Sequence, residues 1–152
     1  MEILFFRRQK MIKHYENLNQ EQTKGLLEIW EQSVKATHDF LDEKNFQTIK
    51  EYLQNADFKD LNFLFAYEND EFVGFLGADE ECIQMLFVKP EYFRKKIGSK
   101  LLQKALDDFK IKKVEVNLDN PNALKFYQKF GFEKVGEYKD NFGFTLLKMQ
   151  KP

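Results

Sequence analysis

The chain has 152 residues, 43% of them apolar, and a net charge of −1, so it can build one self-sufficient core and is too apolar to stay disordered. That near-neutral balance gives no general attraction to nucleic acid or an anionic membrane surface, and no apolar run is long enough to span a bilayer. One cysteine and two histidines exclude a disulfide framework, a paired-cysteine metal or redox motif and a histidine-rich metal centre.

The first residues place Ile3-Leu4-Phe5-Phe6 before Arg7 and Arg8, the reverse of a secretory leader. A start at Met11 would leave 1–10 as an N-terminal extension of a domain over 11–152. Residues 12–15 read as a short strand. Asn19 then offers a helix N-cap, with Gln22 three positions on as in a capping box. Leu27, Trp30 and Val34 recur at helical spacing, so a helix is predicted to about residue 35. Asp42 can cap a second helix carrying Phe46, Ile49 and Leu53 on one face, and 36–41 form the connector.

The period then changes. Residues 61–67 and 72–78 are rich in strand formers and are separated by the turn signal Asn69-Asp70. An apolar strand over 83–88 stops at Pro90. A helix over 97–109 buries Leu101, Leu102, Ala105 and Phe109, and 114–118 is another strand. Asn120-Pro121 starts the last helix as an N-cap followed by Pro at the first helical position, and Gly131 suits its left-handed stop. Strands over 133–138 and 142–149 close the chain as a hairpin. The order β-α-α-β-β-β-α-β-α-β-β describes one α/β domain with a mixed sheet. Its strand–helix–strand unit over 83–118 requires a parallel pair joined by a right-handed crossover.

The densest chemical signal is the turn after residue 88. Phe93-Arg94-Lys95-Lys96-Ile97-Gly98-Ser99 sets basic side chains at the start of a helix, where unpaired N–H groups and the helix dipole attract phosphate. From these residues alone, a solvated basic loop is an equal reading. One such turn supplies too few phosphate contacts for a nucleic-acid binder.

At this turn the chain resembles the GNAT (GCN5-related) N-acetyltransferases, whose loop Q/R-x-x-G-x-G/A falls on 93–98. Gly98 fits; Phe93 replaces the usual Gln or Arg, and Lys96 replaces the middle Gly. A second block is more specific. The family pattern V-x-x-x-N-x-x-A-x-x-F-Y-x-x-x-G-F is met at Val116, Asn120, Ala123, Phe126, Tyr127, Gly131 and Phe132. The segment 33–41 further resembles a subgroup of small bacterial acetyltransferases.

The resemblance implies a cytoplasmic N-acetyltransferase, a monomer or homodimer without metal, moving acetyl from acetyl-CoA to a primary amine. The acceptor is a small molecule or a peptide, and transfer is direct, in a ternary complex. It implies that the strands at 83–88 and 114–118 splay, exposing Leu86, Phe87 and Val88 to the pantetheine. The diphosphate is expected on Phe93, Arg94, Lys95, Lys96, Ile97, Gly98 and Ser99, with Asn120, Ala123 and Tyr127 also at the coenzyme. Asn120 is equally a helix cap, and Tyr127 is either the acid that protonates the leaving thiolate or another core aromatic.

The usual glutamate base is replaced by Gln84, which leaves Glu81 and His38 as candidate bases, with His38 and Asp39 near the acceptor. Cys82 has no basic sequence neighbour, so a buried strand thiol is expected over an acyl-cysteine relay. The degraded loop and Gln84 also motivate an alternative, a non-catalytic acyl-CoA-binding sensor.

Overall fold

The computed structural model describes residues 10–37 and 41–152. Among these residues, seven strands and four helices follow the expected order: β1 Lys10–Tyr15, α1 Gln20–Thr37, α2 Glu43–Gln54, β2 Asn62–Glu68, β3 Glu71–Ala78, β4 Cys82–Val88, α3 Ile97–Asp108, β5 Lys113–Asn117, α4 Pro121–Lys129, β6 Glu133–Lys139 and β7 Thr145–Gln150. A 3-10 turn, Pro90–Tyr92, separates β4 from the phosphate-type loop.

Local chemistry explains the boundaries. Asn19 and Gln22 form the reciprocal capping box, each side chain accepting the other's backbone N–H at 2.8 and 2.9 Å. Asp42 accepts the Asn45 N–H at 2.7 Å, and Asn120 accepts the Ala123 N–H at 3.2 Å. Asn69 and Asp70 both take positive φ, 54° and 67°, the conformation of a tight hairpin whose twist matches its strands. Gly131, at φ 92°, ends α4, and the Phe132 N–H reaches back to the Tyr127 carbonyl at 3.1 Å.

The sheet runs β1-β2-β3-β4-β5-β7-β6, antiparallel everywhere except at β4–β5. Its last strand inserts beside β5 and leaves β6 at the edge. Two cores lie on opposite faces. One joins Leu64, Leu76, Val114, Val116 and Met149 to Leu101, Leu102 and Ala105 of α3 and Tyr127 of α4. The other sets Leu26, Ile29, Trp30 and Phe46 of α1 and α2 on Phe63, Phe65 and Phe75. Much of the phenylalanine excess collects there: Phe65 stacks on Phe72 at 4.1 Å and Trp30 on Phe46 at 5.4 Å.

Candidate active site

The parallel pair at the centre is short. Only Cys82 pairs with Lys113 and Ile83 with Val114; beyond them β4 and β5 have no common register. A bulge helps to open the gap, because Gly77 faces Met85 while Ala78 faces Ile83, so Gln84 is an extra residue in β4. The Lys89 N–H bonds the Val73 carbonyl at 2.8 Å on the β3 side. Antiparallel alternation then turns the backbone groups of Leu86 and Val88 toward the gap. The gap continues into a cleft of about 640 Å³.

One wall is β4, from Ile83 to Val88, and the other is Val114–Asn117 with Asn120, Ala123, Phe126 and Tyr127 of the α4 region. Phe93, Arg94, Lys96, Ile97, Gly98 and Ser99 close one end. Of the residues expected at the coenzyme, every one except Lys95 lines this cleft; the Lys95 ammonium lies 5.0 Å over the Tyr92 ring.

The loop takes conformations that glycine adopts most readily, without a glycine at either position. Lys96 sits at φ 63°, ψ 19°, and Arg94 at φ 65°, so two non-glycine residues occupy the left-handed region. Alternation of this kind turns successive N–H groups into a concave nest for anions. Among the described residues no side chain caps α3, whereas Asn19, Asp42 and Asn120 cap the other three helices. The first intrahelical bond of α3 runs from Lys100 to Lys96, so the amides of Ile97, Gly98 and Ser99 precede the ladder. Glu71 braces the turn, taking hydrogen bonds from the Lys89 ammonium at 3.0 Å and the Tyr92 hydroxyl at 2.8 Å, and these hold its carboxyl below the usual range. Gly98 requires no special conformation; a Cβ there would meet the Phe126 ring at 3.8 Å, ordinary contact.

Tyr127 is buried on the cleft floor, its ring edge-on to Phe126 at 5.1 Å and to Phe132 at 5.6 Å. Burial raises its pKa, with a lesser push from the nearby Cys82 thiol, so the phenol keeps its proton well above neutrality. Cys82 is half-buried; burial first, then Glu115 and Asp79, push its thiol up to about 11. That is the opposite of an activated nucleophile.

Of the two expected bases, Glu81 alone falls within the described residues. Glu81 does not line the cleft: its side chain is exposed, with the carboxylate 4.0 Å from the Lys113 ammonium. The cause is Asp79, whose Oδ1 accepts the N–H groups of both Glu81 and Cys82 and so fixes the turn into β4. His38 and Asp39 lie outside the described residues. Gln84 does line the cleft and donates to Asp79 Oδ2 at 2.9 Å. Among the described residues, the carboxylate that reaches the cleft is Glu115, on β5. Its neighbours Val114 and Val116 point into the α3–α4 core, so strand alternation puts Glu115 on the other face; Gln84 of β4 and Ser33 and Thr37 of α1 line the same cleft. The signal was present in Lys113–Asn117, one charged residue between two valines, but it reads as a solvent face until β4 and β5 are seen to part.

A family model described as Acetyltransferase (GNAT) domain matches residues 15–152. The chain belongs to the GNAT family. Peptidyl-lysine N-acetyltransferase YjaB from Salmonella typhimurium is 31% identical to it over 135 residues, 87% of this chain and 93% of that protein. The solution structure of apo-form YjaB from Escherichia coli matches with a TM-score of 0.78 at 27% identity, covering 93% of this chain and 97% of that one. A GNAT family acetyltransferase from Elizabethkingia anophelis, solved with acetyl-CoA bound, shares the fold at TM-score 0.62 and 16% identity, over 93% of this chain and 97% of that one. This GNAT chain is therefore an acyl-CoA-dependent acyltransferase. Among the described residues, no helix is long and apolar enough to cross a membrane, and no group of three or more His, Cys, Asp or Glu side chains is placed to hold a metal ion.

Proposed function

We propose that this GNAT chain transfers an acetyl group from acetyl-CoA to the side-chain amine of a lysine in a peptide or protein, directly and without an acyl-enzyme. The observation that carries this reading is the parting of β4 and β5 above Tyr127. Pantetheine amides fit the gap as an added strand, pairing with the backbone groups of Leu86 and Val88. The nest at Arg94–Lys96 and the amides of Ile97, Gly98 and Ser99 suit the diphosphate. Asn120 both caps α4 and lines the cleft, so its two expected roles are compatible.

On the acceptor side, α1 packs on β3 and β4, while Glu115 and Tyr138 stand exposed on the sheet beyond it. An open shelf of this kind suits a lysine presented on a larger molecule. The name of the YjaB relative supports the same acceptor class.

A lysine amine is ~99.9% protonated at neutral pH, given a pKa near ~10.4, and only the neutral form attacks. Glu115 first draws the ammonium into the cleft mouth and then takes its proton, directly or through one water. The amine lone pair forms the C–N bond as the carbonyl electron pair moves onto oxygen. A backbone N–H at Leu86 or Val88 donates to that oxyanion. Collapse restores the carbonyl and breaks the C–S bond; Tyr127, which burial keeps protonated, gives its proton to the thiolate, and the second proton on the new amide nitrogen leaves through water and restores the phenol. Cys82, held as a thiol, takes no part.

The test is thiol release from acetyl-CoA with four acceptors: an N-terminally blocked lysine peptide, the same peptide with arginine for lysine, a lysine-free peptide with a free N-terminus, and a small polyamine. Release with the blocked lysine peptide alone is expected. Turnover confined to the free N-terminus or the polyamine overturns the lysine acceptor. Calorimetric binding of acetyl-CoA without turnover of any amine overturns the transfer itself and favours the sensor.

A further inference from the structure

Glu115 stands on an open sheet face, where a glutamate side chain ordinarily samples several rotamers. A hydrogen bond restrains it. The Tyr138 hydroxyl, carried on β6 two strands away, donates to Glu115 Oε1 at 2.5 Å. The geometry that permits this is a matter of register. Glu115 faces Lys148 on the intervening β7, Lys148 faces Gly136 on β6, and Tyr138 lies two positions further along. Gly136 has no side chain to fill the space over β7. The Lys148 stem lies there, 3.9 Å from where a Cβ would stand, and its ammonium sits 5.2 Å from the centre of the Tyr138 ring. Lys148 thus supports the ring that holds the carboxylate.

We infer that Tyr138 is a positioning residue for acetyl transfer, fixing Glu115 so that its second oxygen, Oε2, is presented to the incoming amine. The assignment rests on the reading of Glu115 as the group that receives the amine proton. It accounts for a bulky aromatic left 39% exposed on the edge strand, a position at which burial yields little. The hydroxyl is also a durable donor: its bond to Glu115, with smaller contributions from burial and nearby carboxylates, pushes the phenol up to about 12. It therefore stays protonated wherever the amine can react.

The experiment is a double-mutant cycle in the full chain with acetyl-CoA and the blocked lysine peptide, using Tyr138→Phe, Glu115→Gln and the pair. Tyr138→Phe keeps the ring and its contact with Lys148 while removing the donor. It is expected to lower kcat by about 5- to 10-fold, with KM for acetyl-CoA and the melting midpoint unchanged. Glu115→Gln is expected to lower kcat by about 10²-fold, and adding Tyr138→Phe to it should cost nothing more, because the hydroxyl acts through the carboxylate. Equal losses from Tyr138→Phe in both backgrounds, or no loss in the wild-type background, overturn the inference about Tyr138 while leaving Glu115 in its role. Full turnover by Glu115→Gln overturns Glu115 as well, and is read separately from the Tyr138 result.

Discussion

Replacing Tyr127 by phenylalanine isolates one oxygen atom. The ring sits edge-on between Phe126 and Phe132, 5.1 and 5.6 Å away, and phenylalanine keeps both contacts. Among the described residues nothing hydrogen-bonds to the hydroxyl, so its loss leaves no partner stranded. Stability should then change by less than about 1 kcal/mol, with either sign. Turnover is a different matter. An alkylthiolate leaving into a water-poor cleft needs a proton, and a positioned acid is worth about 10²-fold, or ~2.7 kcal/mol of activation free energy. The expected outcome is a kcat near one hundredth of wild type, an unchanged dissociation constant for CoA by calorimetry and an unchanged melting midpoint. A kcat within about threefold of wild type would remove Tyr127 from the proton path. A collapse of CoA affinity in step with kcat would mean that the hydroxyl shapes the cleft instead of serving the chemistry.

Other outcomes follow from the loop, the sheet and the buried thiol. Lys96→Gly relieves a left-handed lysine at φ 63° and, after the extra chain entropy of glycine, should stabilise the fold by about 0.5–1 kcal/mol in denaturant titration; Lys96→Ala should not. Gly77→Ala places a methyl 2.7 Å from a ring carbon of fully buried Phe63, and should cost about 1–3 kcal/mol in the same titration. Glu71→Gln frees Lys89 and Tyr92 at the turn before the phosphate loop, and should weaken CoA binding several-fold in calorimetry with little change in kcat. The Cys82 thiol is raised from 9.0 to about 11 in the fold, so the folded chain keeps a proton that the unfolded chain releases. Its contribution is complete below pH 9.0 and is lost as pH rises through about 11, so Cys82→Ala should flatten the alkaline fall of the melting midpoint between those values.

The elements were legible where one residue does one local job. Asn19 with Gln22, Asp42, Asn120 before Pro121, and Gly131 each act within four residues, and each appears in the structure as expected. The parallel crossover from β4 to β5 followed from the strand–helix–strand order. Long-range pairing was not written locally. Nothing within Thr145–Gln150 says that β7 pairs with β5 as well as β6, because the choice depends on which edge the crossover leaves open. The bulge at Gln84 is equally silent, since it appears only when Gly77 and Ala78 are laid against Met85 and Ile83.

In the candidate site, the Phe93–Gly98 frame and the Asn120–Phe132 block were readable as motifs. Lys96 looked like a defect in the loop, yet its backbone adopts the glycine conformation and leaves the amide nest in place. The exposed glutamates of the chain look alike in sequence. What separates Glu115 from Glu81 is a fixed turn at Asp79 on one side and a hydroxyl arriving from β6 on the other.

Two residue pairs hold the left and right portions of the sheet together at its midline, Cys82 with Lys113 and Ile83 with Val114. The remaining seam is bridged by helices and by the two apolar layers. In the proposed binding mode, a ligand laid along that seam would act as a stitch, tying a four-stranded piece to a three-stranded one through its own amides. Saturating coenzyme at 100 times its dissociation constant should add about 2.7 kcal/mol to the unfolding free energy. The added protection against amide exchange should concentrate on Leu86 and Val88, far above what either outer hairpin gains.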